Sequence, residues 1–257
     1  SFSANNYLEV TRSEVRASNG VVTISATLIP TISTISTSTV MLSNTGGEVA
    51  LLNGSKVELP ANGIVDADGN DFTGTVTVNL AYLDPTADNF SELIPGGDMV
   101  AQNTEGTTGI LYSYGILKTE LKDENGAMLQ LKEGQTSTIT VPVPSSLLAD
   151  APATIPLWYF DEAKGIWIEE GQATLTDGVY VGTVKHFTDW NCDVWAPSQA
   201  TVTGTVTDAN NKPVAGATIQ VGQVSIITDE NGKYSRNVPS GVAVNVSIKN
   251  YYGHSET

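Results

Sequence analysis

Short runs of alternating or β-branched residues dominate the chain, and turn residues separate them. Tight turns that need positive φ are marked by Asn53-Gly54, Asn125-Gly126, Asp177-Gly178 and Asn231-Gly232. Many short strands joined by such turns are typical of β-sandwiches and barrels. The pattern therefore predicts an all-β fold. The predicted strands cover residues 21–29, 49–52, 74–80, 116–121, 136–143, 178–184, 200–207, 217–221 and 242–249.

Helical patterns are scarce and short. The best candidate runs from Pro85 to Leu93, with Asp84 as N-cap, proline at the first helical position and Gly96 after the end. A second short helix is expected after Pro144. Neither segment is long enough to organise a fold.

Changes in composition divide the chain into domains. The segment 195–199 (WAPSQ) closes an aromatic-rich region and precedes a new strand, so a boundary is predicted near Pro197. Residues 31–39 (TISTISTST) are rich in Ser and Thr and contain no glycine. We interpret 31–44 as a linker, with a β-strand as the alternative. A main domain is then expected over 45–197, and a second over 198–257.

Charge narrows the range of partners. The chain has 12 Lys and Arg against 28 Asp and Glu, a formal net charge of −16. Such a field repels phosphate backbones and anionic lipid heads, so neither nucleic acid nor a membrane surface is expected as a partner. No apolar run approaches the roughly 20 residues of a membrane-spanning helix. The acidic residues lie mostly in turns, where they favour solubility.

The cysteine content bears on the compartment. Cys192 is the sole cysteine, which rules out an internal disulfide framework. An exported protein of this composition depends on its core alone, a situation more usual in bacterial surface proteins than in small animal ectodomains. The first residues, SFSANNYLEV, lack the basic and apolar regions of a signal peptide. Any export signal or lipid anchor is therefore expected upstream of Ser1.

An ordered series of motifs lies between about residues 45 and 194. They are PANGIVDADGNDFTGTVTV (60–78), IPGGDM (94–99), LYSYGILKTELKDENGAMLQLKEGQ (111–135), IPLWYFDEAKGIWIEEG (155–171) and HFTDWNCD (186–193). The series resembles an extracellular β-domain found in bacterial surface proteins and in animal cartilage intermediate layer proteins. The resemblance implies a β-sandwich in a surface or matrix protein, with no established chemistry.

The last part of the chain carries VTGTVTDANNKPVAGATIQV, TDENGKYS and VPSG. These motifs resemble the start of a carboxypeptidase regulatory-like domain, which is a transthyretin-like or immunoglobulin-like β-sandwich. Such a domain normally ends with one or two further strands, so residues 198–257 are expected to form a truncated copy. No HxxE or HExxH zinc motif is present, and peptidase activity is therefore not implied.

The segment from Tyr7 to Pro30 resembles the closing strands of the same type of domain. Because an open sheet edge invites a strand, we expect residues 1–30 to complete the C-terminal domain. The completion would occur within one chain or by strand exchange between copies. The hypothesis fails if residues 15–29 lie far from residues 200–250.

The tripeptide His186-Phe187-Thr188 gives the sharpest chemical hypothesis. It resembles the His-Leu-Thr and His-Phe-Ser cleavage sites of autoprocessing domains in adhesion receptors and death-domain proteins. That resemblance implies His186 as general base, Thr188 as nucleophile and cleavage of the Phe187–Thr188 bond. The alternative is a strand end where Phe187 and Trp190 fill the core and His186 is a surface group.

A loop rich in carboxylates is a candidate calcium site. Asp66, Asp68, Asn70 and Asp71 supply oxygen ligands within a short segment, and calcium takes about six to eight oxygens. The spacing of an EF-hand is absent. The alternative is a solvated hairpin turn, because turns use the same residue types.

Aromatic residues near the end of the main domain are candidates for a sugar-stacking platform. The principal candidates are Trp158, Trp167 and Trp190, with Tyr159, Phe160 and Trp195 beside them in the sequence. A platform needs two exposed, coplanar rings, and core filling is the alternative. Cys192 has no Lys or Arg close in sequence and is expected to be a buried structural thiol.

These patterns favour a non-enzymatic extracellular module of a bacterial surface protein, structural or recognitive, that contacts a polysaccharide or another surface protein. Two alternatives stay open: an autoproteolytic domain, and a calcium-dependent carbohydrate-binding module. The sequence has no Gly-rich phosphate loop, GxSxG elbow or two-histidine metal signature. We therefore expect no enzyme and no cofactor other than calcium.

Overall fold

A computed structural model describes residues 1–12, 26–97, 99–241 and 243–250 of the chain. Strands dominate it, which confirms the all-β fold class. The helix predicted over 85–93 is reduced to α1 (Phe90–Leu93), because Asp84 accepts the N–H of Thr86 and closes a local turn first. Leu148–Asp150 forms a single 3₁₀ turn. Within the described residues, no helix has the length and apolar character needed to cross a membrane.

One large sheet of 13 strands forms the main domain. Its path runs β1-β5-β7-β13-β10-β11-β12-β9-β3-β2, with β4, β6 and β8 paired beside it. The pairs are antiparallel except for β6 against β11. The strands are β1 (Ser36–Leu42), β2 (Gly47–Ala50), β3 (Lys56–Leu59), β4 (Ile64–Val65), β5 (Thr75–Leu83), β6 (Val100–Gln102), β7 (Thr108–Lys122), β8 (Met128–Leu131), β9 (Ser137–Pro142), β10 (Thr154–Asp161), β11 (Ile166–Thr176), β12 (Val179–Val184) and β13 (Asp189–Ala196).

The sheet folds over on itself and encloses an inner core. Val78 on β5 and Leu121 on β7 belong to the same buried cluster as Val57 on β3 and Ile139 on β9. Alternation along each strand sends every second side chain into this cluster. The hydroxyl of Tyr82 also crosses the core and donates to the carbonyl oxygen of Pro142 at 2.9 Å. The main domain is therefore a β-sandwich, as the resemblance implied.

An outer core covers the opposite face of the central strands. Trp158 and Trp167 project into it from the sheet, and Phe90 of α1 closes it. Leu8 and Ile29 also belong to it, and the N–H of Leu8 donates to the carbonyl oxygen of Ile29 at 2.8 Å. The described part of residues 1–30 therefore packs on the main domain.

Two earlier predictions depend on the segment 13–25. They are the completion of the C-terminal domain by residues 1–30 and strand exchange between copies. That segment lies outside the described residues, so both stay predictions.

Residues 31–44, predicted as a linker, contain a strand instead. Strand β1 pairs along its whole length with β5. Met41 packs against the inner core, whereas Val40 and Leu42 are 63% and 53% exposed. The Thr-rich alternation that suggested low complexity forms a strand because β-branched side chains fit a pleated, half-buried surface.

The C-terminal domain consists of two small sheets. Strand β14 (Gln199–Thr205) pairs with β17 (Lys233–Pro239), and β15 (Thr218–Val221) lies between β16 (Val224–Ile227) and β18 (Val246–Asn250). The two sheets share a core, which confirms the sandwich expected for this part of the chain. The core residues are Val214, Ala217, Ile219, Val221 and Val238.

A bulge interrupts the centre of the main sheet at Gly115. The register between β7 and β13 shifts between Asn191 and Asp193. Gly115 has a φ of 153°, and a Cβ at this position would lie 2.8 Å from Cγ1 of Val141. Both the backbone conformation and the close approach of the opposite sheet therefore require glycine here.

Replacing Gly115 with alanine is expected to destabilise the protein by about 2–4 kcal/mol, because overlap with Val141 adds to backbone strain. Gly126→Ala is the matched control: its φ is 84°, and an added Cβ meets nothing within 4 Å. We expect the control to cost about 1 kcal/mol. Chemical denaturation measures both free energies of unfolding, and equal losses would contradict the role given to the overlap.

Candidate functional site

The three candidate tryptophans are core residues. Trp158 and Trp167 are 0% exposed and Trp190 is 1% exposed. Trp158 donates its Nε1–H to the carbonyl oxygen of Asp193 at 3.1 Å, and Trp190 donates to that of His186 at 3.0 Å. Alternation sends Trp158 into the outer core and Trp190 into the inner one. These residues therefore cannot form the predicted sugar platform, because none of them exposes a ring face.

The predicted autoprocessing pair is not assembled. The hydroxyl of Thr188 donates to the carbonyl oxygen of Phe160 at 3.2 Å. His186 instead packs its ring against Tyr159 and Trp190, with centroids 4.8 and 5.0 Å apart. Among the described residues, no hydrogen bond joins His186 to Thr188. Burial lowers the pKa of His186, an effect that a packed imidazole shows with or without catalysis.

A side-chain amide holds the backbone of Phe187, whose carbonyl belongs to the bond that would be cleaved. Gln130 donates its Nε2–H to the carbonyl oxygen of Phe187 at 2.7 Å and accepts the N–H of Phe187 at 2.8 Å. Residues 186–188 also lack positive φ. The geometry is therefore that of the short connection between β12 and β13, held by hydrogen bonds to Gln130.

The predicted calcium loop is a hairpin turn in which Asp66 and Asp71 already have partners. Oδ1 of Asp66 accepts the backbone N–H groups of Asp68 at 3.0 Å and Asn70 at 2.9 Å. Asp71 forms an ion pair with Lys132 at 2.6 Å. Among the described residues, no group of three or more His, Cys, Asp or Glu side chains is arranged to hold a metal ion. The structure therefore does not support calcium at this loop.

The same turn recurs along the chain. In each copy the first side chain accepts the N–H groups two and four residues later, and a residue with positive φ follows at the fourth position. Hydrogen bonds from the residue four places on hold the pKa values of Asp66, Asp123 and Asp208 below the usual range. The turns begin at Asp66, Asn103, Asp123, Asp208 and Asp229.

A buried polar network lies at the bulge of the central strands. The hydroxyl of Ser113 donates to Oδ1 of Asn191 at 2.7 Å, and Nδ2 of Asn191 donates to Oδ2 of Asp193 at 2.6 Å. Burial raises the pKa of Asp193 well above its usual range, and its Oδ1 accepts no hydrogen bond from the described residues. Burial also raises the pKa of the neighbouring Cys192 thiol. The network is enclosed, so its chemistry is that of a structural element.

The network continues into the C-terminal domain through Gln223. Oε1 of Gln223 accepts the N–H of Ser113 at 2.8 Å, and Nε2–H of Gln223 donates to the carbonyl oxygen of Ser113 at 2.8 Å. The side chain thus pairs with the backbone of β7 as a neighbouring strand would. A third polar contact joins the domains where the hydroxyls of Ser91 and Ser225 lie 2.8 Å apart.

Apolar packing closes the same junction. Val224, from the C-terminal domain, is part of the outer core of the main domain. Met99, Leu111 and Val238 line a small remaining pocket at this junction. The two domains are therefore joined by a packed, hydrogen-bonded interface.

The sequence does not predict the contact that Gln223 makes. It follows Gly222 between two apolar strands, where a polar residue is the ordinary choice for a hairpin turn. Its partner is 110 residues away, and one sequence gives no signal for a contact of that separation.

Comparison with known proteins agrees with the two resemblances. Residues 201–256 match the family model of the carboxypeptidase regulatory-like domain. The chain is similar to cartilage intermediate layer protein 1 of Mus musculus, with 28% identity over 118 residues, 46% of this chain and 10% of the relative. The protein of the same name from Sus scrofa is 28% identical over 120 residues, 45% of this chain and 19% of the relative.

These matches confirm the composition inferred from the motifs. The chain spans only a tenth to a fifth of the length of those relatives. No solved structure matches the chain.

The turn assignment makes a prediction for Asp66. At pH 7 Asp66→Ala should unfold at a lower temperature than the wild type, and Asp66→Asn should lie between the two, since Asn103 begins the same turn elsewhere but asparagine carries no charge. Because the folded pKa is depressed, the charged form stabilises above the unfolded pKa of about 3.9, and this benefit is lost as the pH falls. Thermal unfolding in millimolar calcium provides the control, and a higher midpoint with calcium would restore the metal site.

Asp193 gives a prediction of the opposite sign. The pKa of Asp193 is higher in the folded protein than in the unfolded chain. The contribution of this carboxyl to stability is therefore greatest below the unfolded pKa of about 3.9, and it falls as the pH rises. Asp193→Asn removes the ionisation and should raise the midpoint of thermal unfolding at pH 7.5. The gain should shrink towards pH 4. A gain that is constant across this range would show that the carboxyl does not titrate on unfolding.

Proposed function

We propose that this chain is a non-enzymatic structural module of an exported protein, which holds two β-domains in a fixed arrangement and presents them to a polysaccharide or protein partner. The domain junction carries the proposal. Domains connected only by a flexible linker need no specific hydrogen bonds between them, whereas here the partly buried Gln223 pairs with both backbone groups of Ser113.

The candidate chemical groups support the non-enzymatic part. The hydroxyl of Thr188 donates a hydrogen bond to a backbone carbonyl oxygen, and the side-chain amide of Gln130 donates one to the carbonyl oxygen of Phe187. The carboxylate of Asp66 accepts two backbone N–H groups, and Asp71 pairs with Lys132. Thr188, Phe187 and Asp66 thus have packing or turn-forming roles that need no catalytic function. The names of the matched family and relatives describe a regulatory-like domain and a cartilage protein, and none of them states a reaction.

The proposed location is outside the cell. The relatives are named for cartilage, and a stable core with a single buried thiol does not depend on disulfides. We place the chain on a bacterial surface, with a lipid anchor contributed by an upstream segment. The net charge of −16 favours neutral polysaccharides or basic protein surfaces as partners over anionic ones.

The junction is tested by Gln223→Ala. The substitution leaves the N–H and carbonyl of Ser113 buried without partners, and we expect hydrogen exchange at the Ser113 amide to accelerate about tenfold. Gln199→Ala, on an exposed position of β14, is the matched control and should leave that amide unchanged. Small-angle scattering of the wild-type chain should fit one rigid body.

Unaltered exchange at Ser113 in Gln223→Ala would show that the contact does not hold the domains together. A scattering profile that requires several domain orientations would overturn the proposed fixed arrangement.

A further inference from the structure

Three ionisable side chains meet on the face of the main sheet that the N-terminal segment covers. Lys118 and Glu120 project from β7 to the same face, and Asp189 on β13 lies directly opposite Lys118. Their side chains are only 8%, 5% and 4% exposed. The backbone N–H of Glu9 donates to Oε1 of Glu120 at 2.6 Å and closes the cluster. Three charged groups are thus removed from water together.

The distances place the lysine between the two carboxylates. Nζ of Lys118 lies 3.2 Å from Oδ2 of Asp189 and 3.7 Å from Oε1 of Glu120. Lys122, at the edge of the cluster, pairs with Oε2 of Glu120 at 3.0 Å. Glu120 therefore directs one oxygen to each lysine, and Asp189 faces Lys118 alone.

As an ion pair the arrangement is poorly satisfied. An ammonium has three N–H donors, but the described residues supply Lys118 with one hydrogen bond, to Asp189. Oδ1 of Asp189 is buried and accepts no hydrogen bond from the described part of the chain. Buried charges with unmet hydrogen-bonding capacity are costly, and attraction between the charges often does not offset the loss of hydration. A neutral product would remove that cost.

We propose that Lys118 and Asp189 condense to an intramolecular amide, with Glu120 carrying the proton. Glu120 takes a proton from the ammonium of Lys118, and the freed amine attacks Cγ of Asp189. The Nζ–Cγ bond forms and one Cγ–O bond breaks. The departing oxygen leaves as water, with protons from the lysine. An ammonium and a carboxylate thus become one amide and one water, and no oxidant or cofactor is consumed.

The surroundings favour this reaction. The fold holds the amine and the acid at contact distance, which converts an encounter between two groups into a unimolecular step. Burial raises the pKa of Asp189 and so favours the uncharged carboxyl that an amine attacks. Burial lowers the pKa of Lys118, but Asp189 and Glu120 outweigh it and raise that pKa, so the amine needs a proton acceptor at hand. Glu120 is within reach of that proton.

The intact mass of the folded, purified chain, measured after denaturation, tests the proposal. The expected mass is below the 27.0 kDa of the sequence by one water molecule. Tryptic digestion should then yield a branched peptide that joins the segments around Lys118 and Asp189. A chain at the full sequence mass would overturn the proposal outright.

Variants separate the roles of the residues. Asp189→Asn should condense with loss of ammonia, so that its product has the same mass as the wild-type product. Glu120→Gln should retain the full sequence mass, and Lys118→Arg is the control that keeps the charge but cannot condense. Circular dichroism and cooperative unfolding establish that each variant is folded. Condensation in folded Glu120→Gln would overturn the assigned role of Glu120.

Discussion

Strand β7 is the element on which the rest of the structure depends. It runs for 15 residues and pairs with β5, β13, β6 and β8 along its length. Leu117 and Leu121 point into the inner core, while Ile110 and Ile116 point into the outer one. A strand buried on both faces cannot alternate polar with apolar residues, and its polar side chains must find partners within the protein. The Ser113 network and the Lys118 cluster both follow from this constraint.

The bulge at Gly115 explains how one strand serves two environments. The register shift between Asn191 and Asp193 separates a segment that contacts the C-terminal domain from a segment that contacts the N-terminal residues. Ser113 lies on one side of Gly115, and its backbone is hydrogen-bonded to Gln223. Lys118 lies on the other side and forms an ion pair with Asp189. A regular strand would continue one alternation through both segments, so the extra residue permits both sets of contacts.

Local patterns predicted the strands and turns, and they did so for physical reasons. The Asn-Gly and Asp-Gly pairs supply residues that tolerate positive φ, and they close turns at Gly126, Gly178 and Gly232. Residues 31–39 were predicted as a linker because exposed strand positions tolerate the same Ser and Thr residues as linkers do. Only the pairing of β1 with β5 distinguishes a strand from a linker here.

The predictions of functional sites were wrong for a different reason. Trp158, Asp66 and His186 belong to residue types that serve packing, turns and catalysis alike, and burial and hydrogen-bond partners decide among these uses. Gln223 gave no signal, and the alternation of Asp189 with Asn191 and Asp193 did not indicate Lys118, because these partners are distant in sequence.

Among the described strands, β1 leaves one edge of the main sheet unpaired. Within the described residues β1 pairs on one side only, carries no charge from Ser36 to Leu42, and exposes Val40 and Leu42. An uncharged edge of this kind invites pairing between molecules. What opposes such pairing is the net charge of −16, part of which is carried by aspartates in hairpin turns. That repulsion extends about 8 Å at physiological salt and about 3 Å at molar salt. The acidic turns thus act as a colloidal stabiliser: their repulsion keeps molecules from pairing through β1, a strand that the turns do not contact. High salt screens this repulsion.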